Sequence, residues 1–416
     1  MRSSNIPYNP AIDHVRGVAA LLIVYFHAHM LLLPELQGAP LVWPRAGVLY
    51  SLLVEGHTAV ALFMVLSGFI FTAIALDRRI SYLSFQFNRV LRIYPLMAAI
   101  LLFALVLQPA MFHFRPFVGS LLFPFNIQGH EGIAPLNIDP WTGIFWTLSP
   151  EFQFYLIFPL LIAAVNRGGA RILIVLVAVV LCARLYLSQW HDLWHFTYWT
   201  IGGRIDQFLI GMGAAVVWRR SHQLTGARRF LPVAIAAVLL ILWGFNHAGG
   251  AAVHARWKVA WPTVEGGMWA VFILCYLDFA TRLPKLLSSA LVKIGECSFS
   301  IYLLHWPIES FTYHEVAGLA SPFVELGVPP VATVLIVTTL FFVPAVLLVS
   351  LTTYRLIERP FLSMRVRYLR DEAIKGPVGF LVERAVPLVR LTRSSSSLPS
   401  TSRSPSSPDR DTPALT

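Results

Sequence analysis

Apolar residues fall along this chain in long unbroken runs, not in the two-residue alternation of an amphipathic strand. Each run approaches the roughly 20 residues that an α-helix needs to cross about 30 Å of hydrocarbon. In hydrocarbon every backbone N–H and C=O must be paired within its segment, which favours helices, and strands of a membrane barrel would read as short alternating stretches. The pattern predicts an all-α, polytopic integral membrane protein with about ten transmembrane helices. The expected spans are 11–33, 53–76, 90–109, 143–165, 171–187, 200–218, 230–247, 263–281, 295–312 and 330–355. Pro34, Gly168-Gly169, Gly249-Gly250 and Pro329-Pro330 punctuate the connections.

Two stretches depart from this rhythm. Residues 110–142 are too long for a simple connection and hold an apolar segment from Phe117 to Phe125, broken by Pro124. A re-entrant or interfacial segment on the outer side is expected there. The ninth span is short and carries His305-Trp306-Pro307. From Ser394 to Pro408 serine and proline dominate, a composition that cannot bury a core. The chain therefore divides into a transmembrane domain over 1–360 and a disordered cytoplasmic tail over 361–416.

Composition sharpens the class. Of 416 residues, 56% are hydrophobic and 13% charged, against roughly 25% charged in soluble domains. A formal net charge of +11 would suggest nucleic acid on a soluble surface, but here no nucleic-acid partner is expected, because topology accounts for the charge. With the N-terminus inside, thirteen Lys and Arg fall on inner loops, from Arg78 and Arg79 to Lys285 and Lys293. Four fall outside: Arg45, Arg115, Arg256 and Lys258. That bias predicts both termini in the cytoplasm, an even number of spans and contact with anionic membrane lipid. The first run carries Asp13, Arg16 and His27 and lacks a small-residue cleavage site, so it reads as a permanent span. Cys182, Cys275 and Cys297 lie in or beside apolar runs and offer no disulfide framework.

Ionisable residues inside spans cost about 2.5–3.5 kcal/mol each on insertion scales, so each needs a reason. Arg16 and His27 are eleven residues apart, close to three helical turns, which puts them on one face about 16 Å apart along the axis. Asp13 can pair with Arg16 three residues on. Two readings of His27 stand open: a proton-handling base in a polar pocket, or a structural imidazole bonded across helices. Arg89 and Arg92 share a face, suited either to phosphate or to lipid headgroups. Glu151, with Tyr155 one turn further, needs a partner for a buried carboxylate. It could orient a histidine, pair with an arginine or bind a sugar hydroxyl, and a structural ion pair is the alternative. Arg204 and Asp206 are two residues apart and must find other partners, with Arg184 one candidate for an acid.

The His191-x-x-x-His195 pair has metal-ligand spacing, but only Asp192 lies near it and no metal is expected. No GxSxG nucleophile elbow, GxxxxGK[ST] phosphate loop or HExxH zinc helix occurs.

Seven short motifs, taken in order, resemble the membrane-bound acyltransferase-3 family, bacterial enzymes that O-acylate glycans and related acceptors. They are Asp13-x-x-Arg16-Gly17 with His27, then Phe63-Met64-Val65-Leu66-Ser67-Gly68-Phe69, then Arg89-x-x-Arg92-Ile93-Tyr94-Pro95. Trp146-Thr147-Leu148-x-x-Glu151-x-x-Phe154-Tyr155 and Arg204-x-Asp206-x-Phe208 follow. Ser298-x-Ser300-Ile301-Tyr302-x-x-His305 and Ile357-Glu358-Arg359-Pro360-Phe361 complete the set. Each motif is weak alone; the order over residues 9–362 gives the resemblance its weight. Thr147 stands where the family often has serine, and Pro150 precedes Glu151.

The resemblance implies that His27 is the catalytic base or transient acyl carrier, supported by Arg16. It implies that Arg89 and Arg92 hold the phosphates of acyl-coenzyme A, acetyl-coenzyme A foremost, and that Glu151 lines the central cavity. Asp13, Tyr155, Arg204, Asp206 and His305 join it as substrate or cavity residues. The acceptor would be a glycan or glycolipid, reached from the bacterial cytoplasmic (inner) membrane. Some relatives carry a fused esterase-like domain that passes the acyl group on; this chain is expected either to finish the transfer alone or to use a separate envelope partner. A proton-coupled transporter or flippase, or a non-catalytic partner of an envelope complex, are the competing classes.

Overall fold

The computed structural model describes residues 9–38, 43, 45–109, 113–122, 124, 140–221, 226–253 and 255–370. These lie in the first of two compact units, residues 1–374. The described chain is helical almost throughout: α1 (Pro10–Gln37), α2 (Val48–Val54), α3 (Ala59–Ala75), α4 (Tyr82–Leu107) and α5 (Phe114–Leu122) come first. Next are α6 (Leu148–Gly168), α7 (Arg171–Leu187), α8 (Trp194–Trp199), α9 (Ile201–Arg220), α10 (Leu231–His247) and α11 (Trp261–Phe279). Then follow α12 (Lys285–Glu296), α13 (Ser298–Glu325), α14 (Pro330–Val337), α15 (Val343–Thr353) and α16 (Arg359–Ser363). The protein is an all-α polytopic membrane protein.

Local chemistry sets the ends of α1, the helix that matters most. The Asn9 carboxamide oxygen accepts from the Ala11 N–H at 3.0 Å and Pro10 opens the helix, while Gly38 closes it in the left-handed region at φ 60°. Without water to drive apolar helices together, close packing has to hold the bundle, and small residues permit it. A Cβ on Gly68 would lie 2.1 Å from the Phe208 carbonyl oxygen, and one on Gly211 would lie 2.0 Å from the Val65 carbonyl oxygen. The two glycines thus let α3 and α9 touch backbone to backbone. Gly295 does the same for α12 against α1, where a Cβ would lie 2.0 Å from the Asp13 carbonyl oxygen.

Seven helical stretches are long and apolar enough to span a membrane, and α12 with α13 adds an eighth as a pair bent by 69°. Expected spans 171–187 and 200–218 are helices too. However, α7 has only 17 residues, and α9 carries Arg204, Asp206, Arg219 and Arg220. The ninth span is not short: α13 runs on to Glu325 because Val316, Ala317 and Ala320 pack on Leu32 and Leu33 of α1. The last span is one stretch, Pro330–Ser363, carrying π-turns at Thr338–Phe342 and Tyr354–Glu358. Of the expected re-entrant segment, α5 is described, with Phe117 half-buried against the core, and most of the rest lies outside the described residues.

The tail boundary placed at 361 falls inside α16, and residues 361–370 are built into the fold. After α16 the chain turns back to lie against the start of α4. Strand β2 (Leu369–Arg370) pairs antiparallel with β1 (Arg79–Ile80). The Ser81 N–H donates to the Tyr368 carbonyl at 2.8 Å. Asn88 grips Val366 twice, donating to its carbonyl at 2.8 Å and accepting from its N–H at 2.9 Å. Residues 371–416, the greater part of the expected tail, lie outside the described residues.

Candidate active site

A cavity of about 450 Å³ opens among α1, α3, α4, α6, α13 and the segment after α16. Its size suits a small-molecule site. Of the ten residues singled out from sequence, Asp13, Arg16, Arg89, Arg92, Glu151 and Tyr155 line it. Val60, Phe63, Met64, Ile70 and Phe71 give it an apolar wall. Glu151, which the resemblance places in the central cavity, lines it together with the arginines.

Most carboxylates here are engaged. Asp13 lies 3.6 Å from the Arg16 guanidinium. Arg92 donates to Glu358 at 2.6 Å and lies over the Phe299 ring at 4.8 Å. Glu358 also accepts from the Ser300 hydroxyl. The π-turn at Tyr354–Glu358 aims that carboxylate inward, and such turns cluster at functional sites. Tyr155 donates its hydroxyl to Glu151. Arg89 is different: its guanidinium lies 4.7 Å from the Phe71 ring centroid, 5.2 Å from Phe85 and 5.4 Å from Tyr155. Its Nε is buried without a hydrogen-bond partner among the described residues.

Further along α1, His27 Nδ1 lies 2.9 Å from His305 Nε2, with the rings stacked at 5.0 Å. The direction of this bond follows from the next one. His305 Nδ1 lies 3.0 Å from the Ile301 carbonyl oxygen. A carbonyl only accepts, so Nδ1 of His305 carries the hydrogen. In neutral His305, Nε2 is then the acceptor, and His27 donates through Nδ1. His27 Nε2 is left with its lone pair and no hydrogen-bond partner among the described residues. That is the tautomer a general base or nucleophile needs. Trp306 meets the His27 ring edge-on at 4.9 Å.

The two histidines do not line the cavity. Phe63, Thr147 and Tyr302 do line it, and the Phe63 and Tyr302 rings stand edge to face at 6.2 Å. Tyr302 lies three residues before His305, so cavity and histidine pair adjoin along one face of α13.

Arg204 and Asp206 do not line the cavity either; each is buried in its own bonds. Arg184 pairs with Asp206 at 2.5 Å, and the Thr263 hydroxyl donates to the same carboxylate. Arg204 donates to the Tyr198 carbonyl at 2.6 Å and lies over the Tyr198 and Trp146 rings. Among the described residues no cluster of His, Cys, Asp or Glu could hold a metal, and the three cysteines are free. His191 and Asp192 line a separate cavity of about 280 Å³ with Trp190 and Trp194. Sequence reasoning missed Arg365, Tyr368 and Tyr354, which also line the main cavity. Arg365 and Tyr368 were assigned to the tail, where no periodicity marked them.

The helical bundle thus holds a basic cavity next to a tautomer-fixed histidine pair. Residues 9–355 match the acyltransferase domain family, and the chain belongs to it. The protein is an enzyme that transfers acyl groups. It is similar to the acyltransferase MdmB of Streptomyces mycarofaciens, 28% identical across 63% of this chain and 70% of that protein. The O-acetyltransferase OatA of Staphylococcus aureus (strain NCTC 8325 / PS 47) is 25% identical across 73% of this chain and 51% of its own. YrhL of Bacillus subtilis (strain 168), provisionally named a peptidoglycan O-acetyltransferase, is 23% identical across 77% of this chain and 50% of its own. The chain thus spans about half the length of the last two relatives. No solved structure matches it.

Proposed function

We propose that this enzyme is a membrane O-acyltransferase of the bacterial cytoplasmic membrane. It moves an acyl group, acetyl foremost, from cytoplasmic acyl-coenzyme A to a hydroxyl of an extracytoplasmic or lipid-linked carbohydrate. The observation that carries this reading is the order of groups along α1. Arg16 sits in the basic cavity, and His27, three turns on, carries a free Nε2. The relatives named as O-acetyltransferases support acetyl as the group, and the one named for peptidoglycan supports a glycan acceptor.

The chemistry follows from that arrangement. The arginines take the donor phosphates, and the acyl arm lies along the apolar wall toward His27. Phe63 and Tyr302 part to let the thioester pass. The acceptor oxygen bonds to the thioester carbonyl carbon and the carbon–sulfur bond breaks. The hydroxyl proton goes to His27 Nε2 and from there to the leaving thiolate. Glu151 and Tyr155 bound the cavity on the side of α6. Arg204 holds the aromatic wall of Trp146 and Tyr198 in place on the acceptor side.

The test is coenzyme A release by the full-length protein in lipid nanodiscs, with and without crude envelope glycan. Turnover in the wild type that vanishes in a folded His27→Ala variant supports the reading. Equal turnover in the variant overturns His27 as the base. No turnover with any donor, alongside proton-coupled uptake of a glycan or lipid, would make the protein a transporter.

A further inference from the structure

Four guanidinium groups line the main cavity: Arg16, Arg89, Arg92 and Arg365. Two are already neutralised, Arg16 by Asp13 and Arg92 by Glu358. Of the cavity carboxylates, Glu151 accepts from Tyr155 and Glu296 is engaged as well. Arg89 and Arg365 have no ion pair among the described residues, and each has a buried Nε with no hydrogen-bond partner there. A buried or half-buried cation without a counter-charge costs stability unless a ligand supplies it.

The backbone brings these two arginines together. Asn88, next to Arg89, holds Val366, next to Arg365, through two hydrogen bonds of 2.8 and 2.9 Å. Phe85 carries the Arg89 guanidinium on one side and meets the Tyr368 ring at 5.3 Å. The strand pair Ile80↔Leu369 fixes the register. Burial pushes the Arg365 guanidinium down to about 9, with the charge of Arg89 the largest of its charged neighbours and Arg92 and Arg16 adding to it. That is the electrostatic mark of a site that gains from an anion.

We propose that Arg365, together with Arg89, binds the phosphate groups of the acyl-coenzyme A donor. The segment 364–370 is then a wall of the donor site, although it lies beyond residues 9–355 that match the family. This deepens the reading given under Proposed function and rests on it. It also reassigns the pair expected from sequence: Arg92 is committed to Glu358, and Arg365 takes its place beside Arg89. Two planar guanidinium forks from different elements grip a phosphate more specifically than point charges do.

The experiment is coenzyme A binding to the full-length protein in phosphatidylcholine nanodiscs, by titration calorimetry. Arg365→Gln and Arg89→Gln should each weaken binding by about tenfold or more, the value of one charge-assisted hydrogen bond. Arg365→Lys should recover part of the loss. Arg367→Gln, an exposed position in the same segment outside the cavity lining, should stay within about twofold. Wild-type binding with Arg365→Gln equal to wild type overturns the proposal and leaves the donor reading intact. No wild-type binding overturns the donor reading itself, and the proposal with it. A wild-type affinity that collapses when phosphatidylglycerol replaces phosphatidylcholine, while Arg365→Gln ignores the change, assigns Arg365 to a lipid headgroup and also overturns the proposal. Thermal unfolding of each variant identifies loss of fold, and the Arg365→Lys affinity then decides.

Discussion

In the proposed reaction His27 gains its chemistry from a neighbour that sequence spacing placed only loosely. The eleven-residue interval from Arg16 was legible, because a helix makes it one face. The hydrogen-bond direction was not, because it needs Ile301 and His305 of α13 beside α1. His305→Ala should therefore lower kcat by about 10²–10⁴-fold, the usual worth of a well-placed base, and leave KM for acyl-coenzyme A unchanged. A rise in KM with kcat intact would place His305 in donor binding instead. Glu309 makes a second residue-scale case. It lies one turn beyond His305, fully buried, with both carboxyl oxygens unpartnered among the described residues. Such a group costs about 1–3 kcal/mol. Glu309→Leu should raise the melting temperature measured in detergent; a fall would mean that the carboxyl has a partner in the folded protein.

At the scale of elements, two devices position the site. The first is the α3–α9 contact, made possible by Gly68 and Gly211. Gly211→Ala forces a methyl against the Val65 carbonyl and should cost about 1–3 kcal/mol, read as a lower melting temperature. An unchanged value would show that the helices part freely. The second is the Asn88–Val366 clamp. Asn88→Ala removes both bonds and should weaken coenzyme A binding along with Arg365→Gln, with no added loss in the double variant. Fully additive losses would show that the clamp does not act through Arg365. Neither device was visible beforehand. A glycine in an apolar run does not announce its partner, and the Asn88–Val366 clamp joins residues 278 positions apart in the chain.

For the molecule as a whole, the topology proposed from charge asymmetry puts Arg78 and Lys285 inside and Arg45 outside. Single cysteines at these positions, in a Cys182→Ala background because Cys182 is exposed, should react with an impermeant maleimide in intact cells only at position 45. The reverse pattern would invert the orientation and move the donor site to the opposite face. The sequence alone determined the solvent, the helical class, most span positions and the family. Long apolar runs obey the thickness of the bilayer and the need to pair every backbone group, and both are local constraints. It also supplied six residues of the cavity. The tertiary structure alone decided which charges are spent and which are free. Whether Arg92 or Arg365 faces an anion depends on a carboxylate more than 250 residues away in the chain, Glu358, reaching Arg92 across the bundle. That pairing is a matter of three-dimensional distance, and no spacing along the chain encodes it.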